Sequence, residues 1–350
     1  MSDTLLTPTP EIRQTDRTSE SLTRPSRLTW ARHYVAQSSL FILIALFLVV
    51  FSLAKPQEFA NWNNISTILY SNAVTGVVAL AALIPLLSGE VDISIGGVMG
   101  VSGVFVAWAF GQGWPMVPAI AGALACGVIV GVANALLVVR IGLNSFISTL
   151  AMTTILAGVA TLITGGGSLY SGIPTSFTSL VANHLLGVPL AVVYTVLITA
   201  VIGYGTSRTA FGRRLRATGS GRDAARLIGV RTTRYVAVAF VLSGLVAALA
   251  GVLETAELAS ASPTTGNSFT LSAIAAVFLG AIVSRRSRLN AWGTITAVVM
   301  LGIGLTGLTM IGAPAWVPDV FNGVALIVAL AISKGAGAAS PVAAIGRIGS

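Results

Sequence analysis

Two acids stand where the surrounding residues offer almost no other ionisable group. In the stretch SGEVDISIGG, Ser88 to Gly97, Glu90 and Asp92 fall between segments that are otherwise nearly all apolar. Carboxylates in this position have two kinds of work open to them. In the first, Asp92 and Ser94 cap the helix that follows while Glu90 faces water. In the second, an acid pairs with an arginine from the polar interval 207–234 or from Arg285 to Arg288, because a charge beside so much apolar sequence is costly unless solvated or paired. Three further acids weigh less. Glu254 and Glu257, spaced i,i+3, share one helical face, and Asp319 follows Pro318 as an ordinary first-turn carboxylate.

The remaining reactive side chains exclude several chemistries. Cys126 has no partner cysteine, so it makes no intrachain disulfide and reads as small apolar filler. His33 and His184 are too far apart to suggest a metal site. No serine lies in a Gly-rich nucleophile turn with a His and an acid to serve it. A phosphate-binding loop needs Gly-x-x-x-x-Gly-Lys-Ser/Thr, and neither Lys55 nor Lys334 follows one. Any ATP-driven work involving this chain therefore falls to another polypeptide.

The elements that must position Glu90 and Asp92 are membrane helices. Hydrophobic residues make up 55% of the 350, charged residues 9%, and the mean hydropathy is +0.88. A soluble domain of this length does not manage on so little polar surface. Apolar blocks of helical length recur, each able to cross a hydrocarbon core of about 30 Å. The alternating pattern of a barrel is missing. The expected fold is an all-α polytopic integral membrane protein with about ten transmembrane helices. Their expected positions are 39–55, 66–87, 93–111, 116–139, 146–164, 188–206, 235–256, 270–284, 291–311 and 317–334.

Charge bias orients this arrangement, since short loops rich in Arg and Lys stay cytoplasmic. With both termini cytoplasmic, every one of the 20 basic residues except Lys55 falls on the cytoplasmic side. The net charge of +9 thus reports orientation and contact with anionic membrane lipid, not nucleic acid. Residues 1–38 read as a disordered basic cytoplasmic tail and 335–350 as a second cytoplasmic tail, around a transmembrane domain at 39–334. The basic start followed by Phe41 to Leu53 has some likeness to a secretory signal, but the leading tail is long for one, and the segment is expected to remain as the first span. The expected placement is that of a multi-pass membrane protein.

One cytoplasmic interval has its own organisation. In 207–234 the second half reads as a short helix, with Gly219 to Gly221 as breaker and Asp223 near its N-terminus. Ala224, Ala225, Leu227 and Ile228 form a small apolar face, and Arg222 and Arg226 stand i,i+4. Two readings are open: a basic loop lying on lipid headgroups, or a docking helix that fits a groove on a cytoplasmic ATPase. Polar and aromatic residues within the apolar segments are possible pathway residues for a small polar solute, namely Asn72, Asn134, Asn144, Phe146, Trp292 and Asn322. Each also has an ordinary role in helix packing or at the interface.

These motifs together carry a family resemblance. GEVDISIGGVMGVSG, from Gly89 through Glu90, Asp92, Ser94 and Gly96 to Gly103, resembles the signature of the ribose-type branch of ABC importer permeases, which serves sugars and autoinducers. FGRRLRA (Phe211, Gly212, Arg213 and onward) and DAARLIGV (Asp223, Ala224, Ala225, Arg226, Leu227 to Gly229 and Val230), preceded by Gly221 and Arg222, resemble its ATPase-docking block. NSFISTLAMTTILAGVATLITGG, SGLVAALAGVLETAELASASPTTG and LSAIAAVFLG extend the likeness across about 60–333.

The resemblance implies a membrane subunit working with two ATP-binding subunits, a second copy or a paralogous permease, and an extracytoplasmic solute-binding protein. It implies no cofactor in this chain, ATP and Mg being held by the partner subunits, and no catalytic or metal-binding residue. The expected contacts with the binding protein are 56–65, 165–187 and 257–269. Where the family has a Gly-rich loop, this chain has AIVSRRSRLNAWG. Glu257 stands in place of a usual Arg, and Thr270 and Ser272 replace two acids. These departures leave homodimer and heterodimer open. A proton-coupled secondary transporter using Glu90, Asp92 or Glu254 is the alternative reading, and a membrane scaffold or sensor is a third.

Overall fold

The computed structural model describes residues 27–282 and 288–335, with side chains described over 40–282 and 288–331. Residues 1–26 and 336–350 of the expected tails lie outside the described residues, as do Arg285 and Arg286. Over its described residues the chain is mostly helical. In order it forms α1 (Arg27–Ala54), α2 (Trp62–Leu87), α3 (Ile95–Gly111), α4 (Met116–Ala135) continued by a π-helical turn (Leu136–Ile141), α5 (Ser145–Thr164) and α6 (Thr175–Ala182). A two-stranded hairpin follows, β1 (His184–Leu185) and β2 (Val188–Pro189). Then come α7 (Leu190–Ser207), α8 (Ala210–Ser220), α9 (Arg222–Leu227), α10 (Thr232–Leu258), α11 (Thr265–Ile282), α12 (Ala291–Met310) and α13 (Val317–Gly335).

Seven of these helices are long and apolar enough to cross a membrane: α2, α4 with its π turn, α5, α7, α10, α11 and α12. Shorter apolar stretches lie at three further expected segments, Leu40–Ala54, Ile95–Gly111 and Val317–Ala331. The expected boundaries shift by a few residues at several helices, as at α2, α10 and α11. The largest difference is at α1, which begins at Arg27, so 27–38, expected as tail, is helical at the backbone. The stretch RLTWARHYVAQSS contains neither Pro nor Gly, and a helix propagates more readily than it nucleates, so the apolar span extends back into it.

Sequence chemistry sets the ends of the helices. Asn61, Asn144 and Asn290 accept hydrogen bonds from the backbone of Asn63, Ile147 and Gly293, capping α2, α5 and α12. Gly142 and Gly165 stop the π turn and α5 in left-handed conformations. Helix α2 is buried almost all round over 73–87, as expected for a helix that is apolar on every face. It forms the centre of the bundle with α3, α10 and α11, and α10 packs along α4, α3 and α2. Large apolar side chains point outward from α1, α4, α5, α7 and α13, among them Leu53, Ile129, Leu162, Val201 and Ile327. That much exposed hydrocarbon suits a lipid surround.

Candidate functional site

The segment Ser88 to Ser94 leaves α2 and runs back into the bundle before α3 starts. Ser88, Glu90, Asp92 and Ser94 are all buried. Because an extended segment cannot satisfy its own backbone, other helices supply partners. Val91 N–H donates to Ser145 Oγ at 3.3 Å and Ile93 N–H to Thr149 Oγ1 at 3.0 Å, both on α5. Asp92 gathers the rest. Its Oδ1 accepts from Ser94 N–H at 2.9 Å and Ser94 Oγ at 2.6 Å, and its Oδ2 from Ser243 Oγ of α10 at 2.8 Å. Asn134 Nδ2 of α4 donates to Ser94 Oγ at 2.7 Å.

The placement of Asp92 is more than a helix cap. Ser94 is the N-cap residue of α3 and makes no side-chain capping bond. Asp92 instead turns its own short loop and ties α3 to α10. Ser243 is eleven residues past Thr232, where α10 begins, about 16 Å along the helix. The network therefore lies well inside the bundle and joins α3, α4 and α10.

Glu90 points the other way, toward the polar interval 207–234, and forms an ion pair with Arg222 at the first position of α9. Burial and the neighbouring Arg226 lower the Arg222 guanidinium from its ordinary value, yet an arginine stays cationic at neutral pH. A second contact reinforces this junction. Gly89, at φ +83°, lies against Gly219 of α8, where a side chain would collide with the carbonyl of Leu87. The end of α2 and the end of α8 thus meet backbone to backbone.

The interval 207–234 contains two helices, α8 as well as the expected short helix α9. Thr209 caps α8 by accepting from Gly212 N–H at 3.2 Å. Leu215 is fully buried, and Arg216 donates to the carbonyls of Thr206 at 3.2 Å and Leu289 at 2.8 Å, fastening α8 to the ends of α7 and α12. Phe211 packs on Tyr235, with ring centroids 5.7 Å apart, and Arg213 binds the Arg208 carbonyl at 3.1 Å. On α9, Ala225 is buried while Ala224, Leu227 and Ile228 are exposed. The expected apolar face is therefore split: Ala225 seats the helix, and Leu227 and Ile228 face outward. Asp223 and Arg226 lie 3.7 Å apart, and Gly221 and Gly229 mark the two ends of α9, Gly229 at φ +82°.

The expected pathway residues do not converge. Asn134 belongs to the Asp92 network. Asn144 caps α5, and Phe146, beside Ser145, is partly exposed. Asn72 donates to the Ile68 carbonyl at 2.8 Å and lies against Gly302 of α12. Trp292 is exposed beside Gly203 of α7, and Asn322 is half-buried on α13. Four residues with no individual role expected from the sequence take part in the site: Ser243, Ser145, Thr149 and Arg216. Gly219, expected as part of the helix breaker, instead lies within α8 and makes the close contact with Gly89, leaving Gly221 as the break. Ser243 and Ser145 stand at or near the starts of two of the matched motifs, which was their only signal.

At the opposite end of the bundle, Leu169 and Ala261 exchange two backbone hydrogen bonds of 2.8 Å, joining the expected outer segments 165–187 and 257–269. Glu254 lines a narrow crevice with Gly100, Gly103, Thr255 and Ser262. Glu257 Oε2 is buried without a hydrogen-bond partner among the described residues, and Asp319 is exposed in the first turn of α13. Among the described residues no cluster of His, Cys, Asp and Glu is placed to hold a metal ion.

Comparison with known proteins gives one consistent result. The family model described as "Branched-chain amino acid transport system / permease component" matches residues 64–330. The ribose import permease protein of Escherichia coli (strain K12) is 30% identical over 85% of this chain and 93% of its own length. That of Bacillus subtilis (strain 168) is 31% identical over 84% and 90%. The autoinducer 2 import system permease protein of Yersinia enterocolitica (serotype O:8 / biotype 1B) is 31% identical over 85% and 91%.

Proposed function

This chain belongs to the branched-chain amino acid transport system / permease component family, and from that premise we propose that it is the membrane-spanning subunit through which an ATP-driven importer passes a sugar or sugar-like solute into the cell. It is a transport subunit, and ATP hydrolysis belongs to separate subunits. The solute class rests on the ribose and autoinducer 2 relatives. The same relatives do not favour proton-coupled secondary transport.

The observation that carries the reading of this chain's own residues is the double junction between α8–α9 and the 88–94 segment, through Glu90–Arg222 and Gly89–Gly219. A helix exposing Leu227 and Ile228 is a surface for a protein partner. Its root touches a segment that leads directly to Asp92 and the contacts with α10 and α4. Displacing α9 therefore loads the interior through rigid contacts. In this reading two ATP-binding subunits grip the 207–234 interval from the cytoplasm of a bacterial-type inner membrane. The binding protein delivers solute at the opposite face, where the 165–187 and 257–269 segments are already joined. A second permease copy or a paralogue completes the assembly, and ATP and Mg are held on the ATP-binding subunits.

The test is reconstitution of the full chain with its ATP-binding subunits in proteoliposomes, followed by uptake of labelled sugars with binding protein outside and ATP inside. Uptake that requires both supports the reading. Uptake that persists without the ATP-binding subunits and stops when the proton gradient is collapsed overturns it.

A further inference from the structure

Beside the α9 surface, and sharing Ile228 with it, is a second feature whose three arginines have no stated part in the transport reading. A groove of about 450 Å³ opens between α8, the turn after α9 and the start of α10, lined by Phe211, Arg214, Ile228, Arg231, Arg234, Tyr235 and neighbouring residues including Val238. Three of its lining groups are arginines, all exposed, and no acid lines it among the described residues. Arg214 donates to Tyr235 Oη at 3.1 Å, which holds one guanidinium over the groove.

The lining is graded along α10. Arg231 precedes the helix, Arg234 and Tyr235 occupy its first turn, and Val238 follows on the same face at i,i+7 from Arg231 and i,i+4 from Arg234. Over about 10 Å the surface passes from cationic, through an amphipathic aromatic ring, to exposed valine. Phe211 and Ile228 add apolar wall. The first turn of α10 has no acid and no side-chain cap, so its positive dipole end adds to the field of the arginines.

We propose that this groove holds one anionic phospholipid, with the phosphate among Arg214, Arg231 and Arg234 and the upper acyl chain against Val238 and Phe211. The sign of the lining selects a phosphate-bearing headgroup, which arginine's planar fork contacts at two oxygens. The apolar continuation selects a lipid over a free anion, because a soluble phosphate gains nothing from exposed valine and phenylalanine. On the orientation that places α8 and α9 in the cytoplasm, the gradient runs from the headgroup level toward the acyl region, as a lipid of the inner leaflet requires. The bound lipid would brace α8 against α10 next to the Glu90–Arg222 junction.

The test is native mass spectrometry of the full-length protein, purified in detergent and titrated with phosphatidylglycerol or phosphatidylcholine. The expected result is one tightly retained phosphatidylglycerol per chain and no retained phosphatidylcholine. Retention should fall at least tenfold in the triple variant Arg214→Gln, Arg231→Gln, Arg234→Gln and stay unchanged in Arg140→Gln, Arg208→Gln. Val238→Trp keeps all three arginines and fills the apolar end, and it is expected to lose the lipid as well. Equal retention of both lipids, or unchanged phosphatidylglycerol retention in the triple variant, overturns the proposal. So does glycerol phosphate competing as well as the lipid, which would assign the groove to a soluble anion. Loss of ATP-binding-subunit association in the triple variant with lipid still bound would give the groove to the protein partner.

Discussion

The Arg222 guanidinium and the Glu90 carboxylate form an ion pair whose two members are unequally sheltered, the Glu90 side chain being 9% exposed and that of Arg222 44%. Removing the cation leaves a nearly buried carboxylate without its partner, whereas neutralising the acid leaves an arginine that water still reaches. Arg222→Ala is therefore expected to destabilise the protein more than Glu90→Gln. The double variant should recover part of the loss, with a coupling of about 1 kcal/mol once solvent screening of the half-exposed arginine is allowed for. Denaturation midpoints of the four proteins in a double-mutant cycle measure this, and equal single-variant losses with no coupling would show that the pair does not matter.

Gly219 offers a test in which local and tertiary effects have opposite signs. On helix propensity alone, Gly219→Ala would stabilise α8 by about 1 kcal/mol. The added methyl meets the backbone of Leu87 and Ser88, so the variant is expected to be less stable and to lose uptake. Gly229→Ala is the control: its φ of +82° costs about 1–2 kcal/mol, but its methyl meets nothing. It should weaken only the link from α9 to α10. Crosslinking between cysteines placed on α8 and at the end of α2 distinguishes the two.

Asp92 accepts three hydrogen bonds in a buried site. Asp92→Ala strands the hydroxyls of Ser94 and Ser243, at about 1–3 kcal/mol per unsatisfied group, and is expected to abolish uptake and reduce the folded yield. Asp92→Asn keeps one acceptor, and the Ser243 hydroxyl is free to rotate and accept from the new amide, so the loss should be much smaller. A thermal-shift series with Ser243→Ala, measured in the wild type and in Asp92→Asn, reads the coupling directly.

Leu227 and Ile228 are 89% and 76% exposed. Leu227→Ser and Ile228→Ser should change stability by no more than about 0.5 kcal/mol, as exposed sites do. Co-purification of an ATP-binding subunit should nevertheless fall at least tenfold. Unaltered co-purification would remove α9 from the docking surface.

Leu186 is 97% exposed and holds φ +53° in the hairpin turn beside Gly187. Leucine is poorly suited to that conformation, whereas asparagine visits it readily. Leu186→Asn is expected to leave the fold intact or slightly more stable while weakening binding-protein docking at the 165–187 segment. Surface-plasmon measurement of binding-protein affinity checks this, and a gain in stability with full affinity would make Leu186 a passive turn residue.

The helices were legible in the sequence because ten apolar stretches separated by Gly, Pro and Arg leave little choice of architecture. Helix α8 was less legible, since AFGRRLRATGS reads as a basic loop until Leu215 is seen to be buried and Arg216 to be bonded to α7 and α12. The hairpin around Leu186 has no Asn-Gly or Asp-Gly turn to announce it. Glu90 and Asp92 stood out by charge alone. An arginine of 207–234 was already open as a partner for one of them, and Arg222 meets Glu90. The residues that meet Asp92 and its flanking backbone did not stand out, because Ser243, Ser145 and Thr149 are ordinary hydroxyls in apolar helices and only long-range packing brings them to the 88–94 segment. The pathway candidates failed to converge for a related reason: Asn, Phe and Trp at membrane depth serve caps, helix contacts and interfaces as readily as a solute path.

The contact between α4 and α10 limits how this bundle can change shape. Gly127 meets Gly244 and the rigid methyl of Ala248, and Gly131 meets the backbone of Phe240 and Val241, so no side chain that can change rotamer is interposed at either point. Side chains that repack by changing rotamer normally act as bearings between helices, and these two points have none. The two helices must travel together as one plank, with Ser243 and Asn134 riding on it. Opening and closing is thus left to the surfaces around the plank, and any variant that inserts even a methyl into the seam should jam or split the unit rather than adjust its angle.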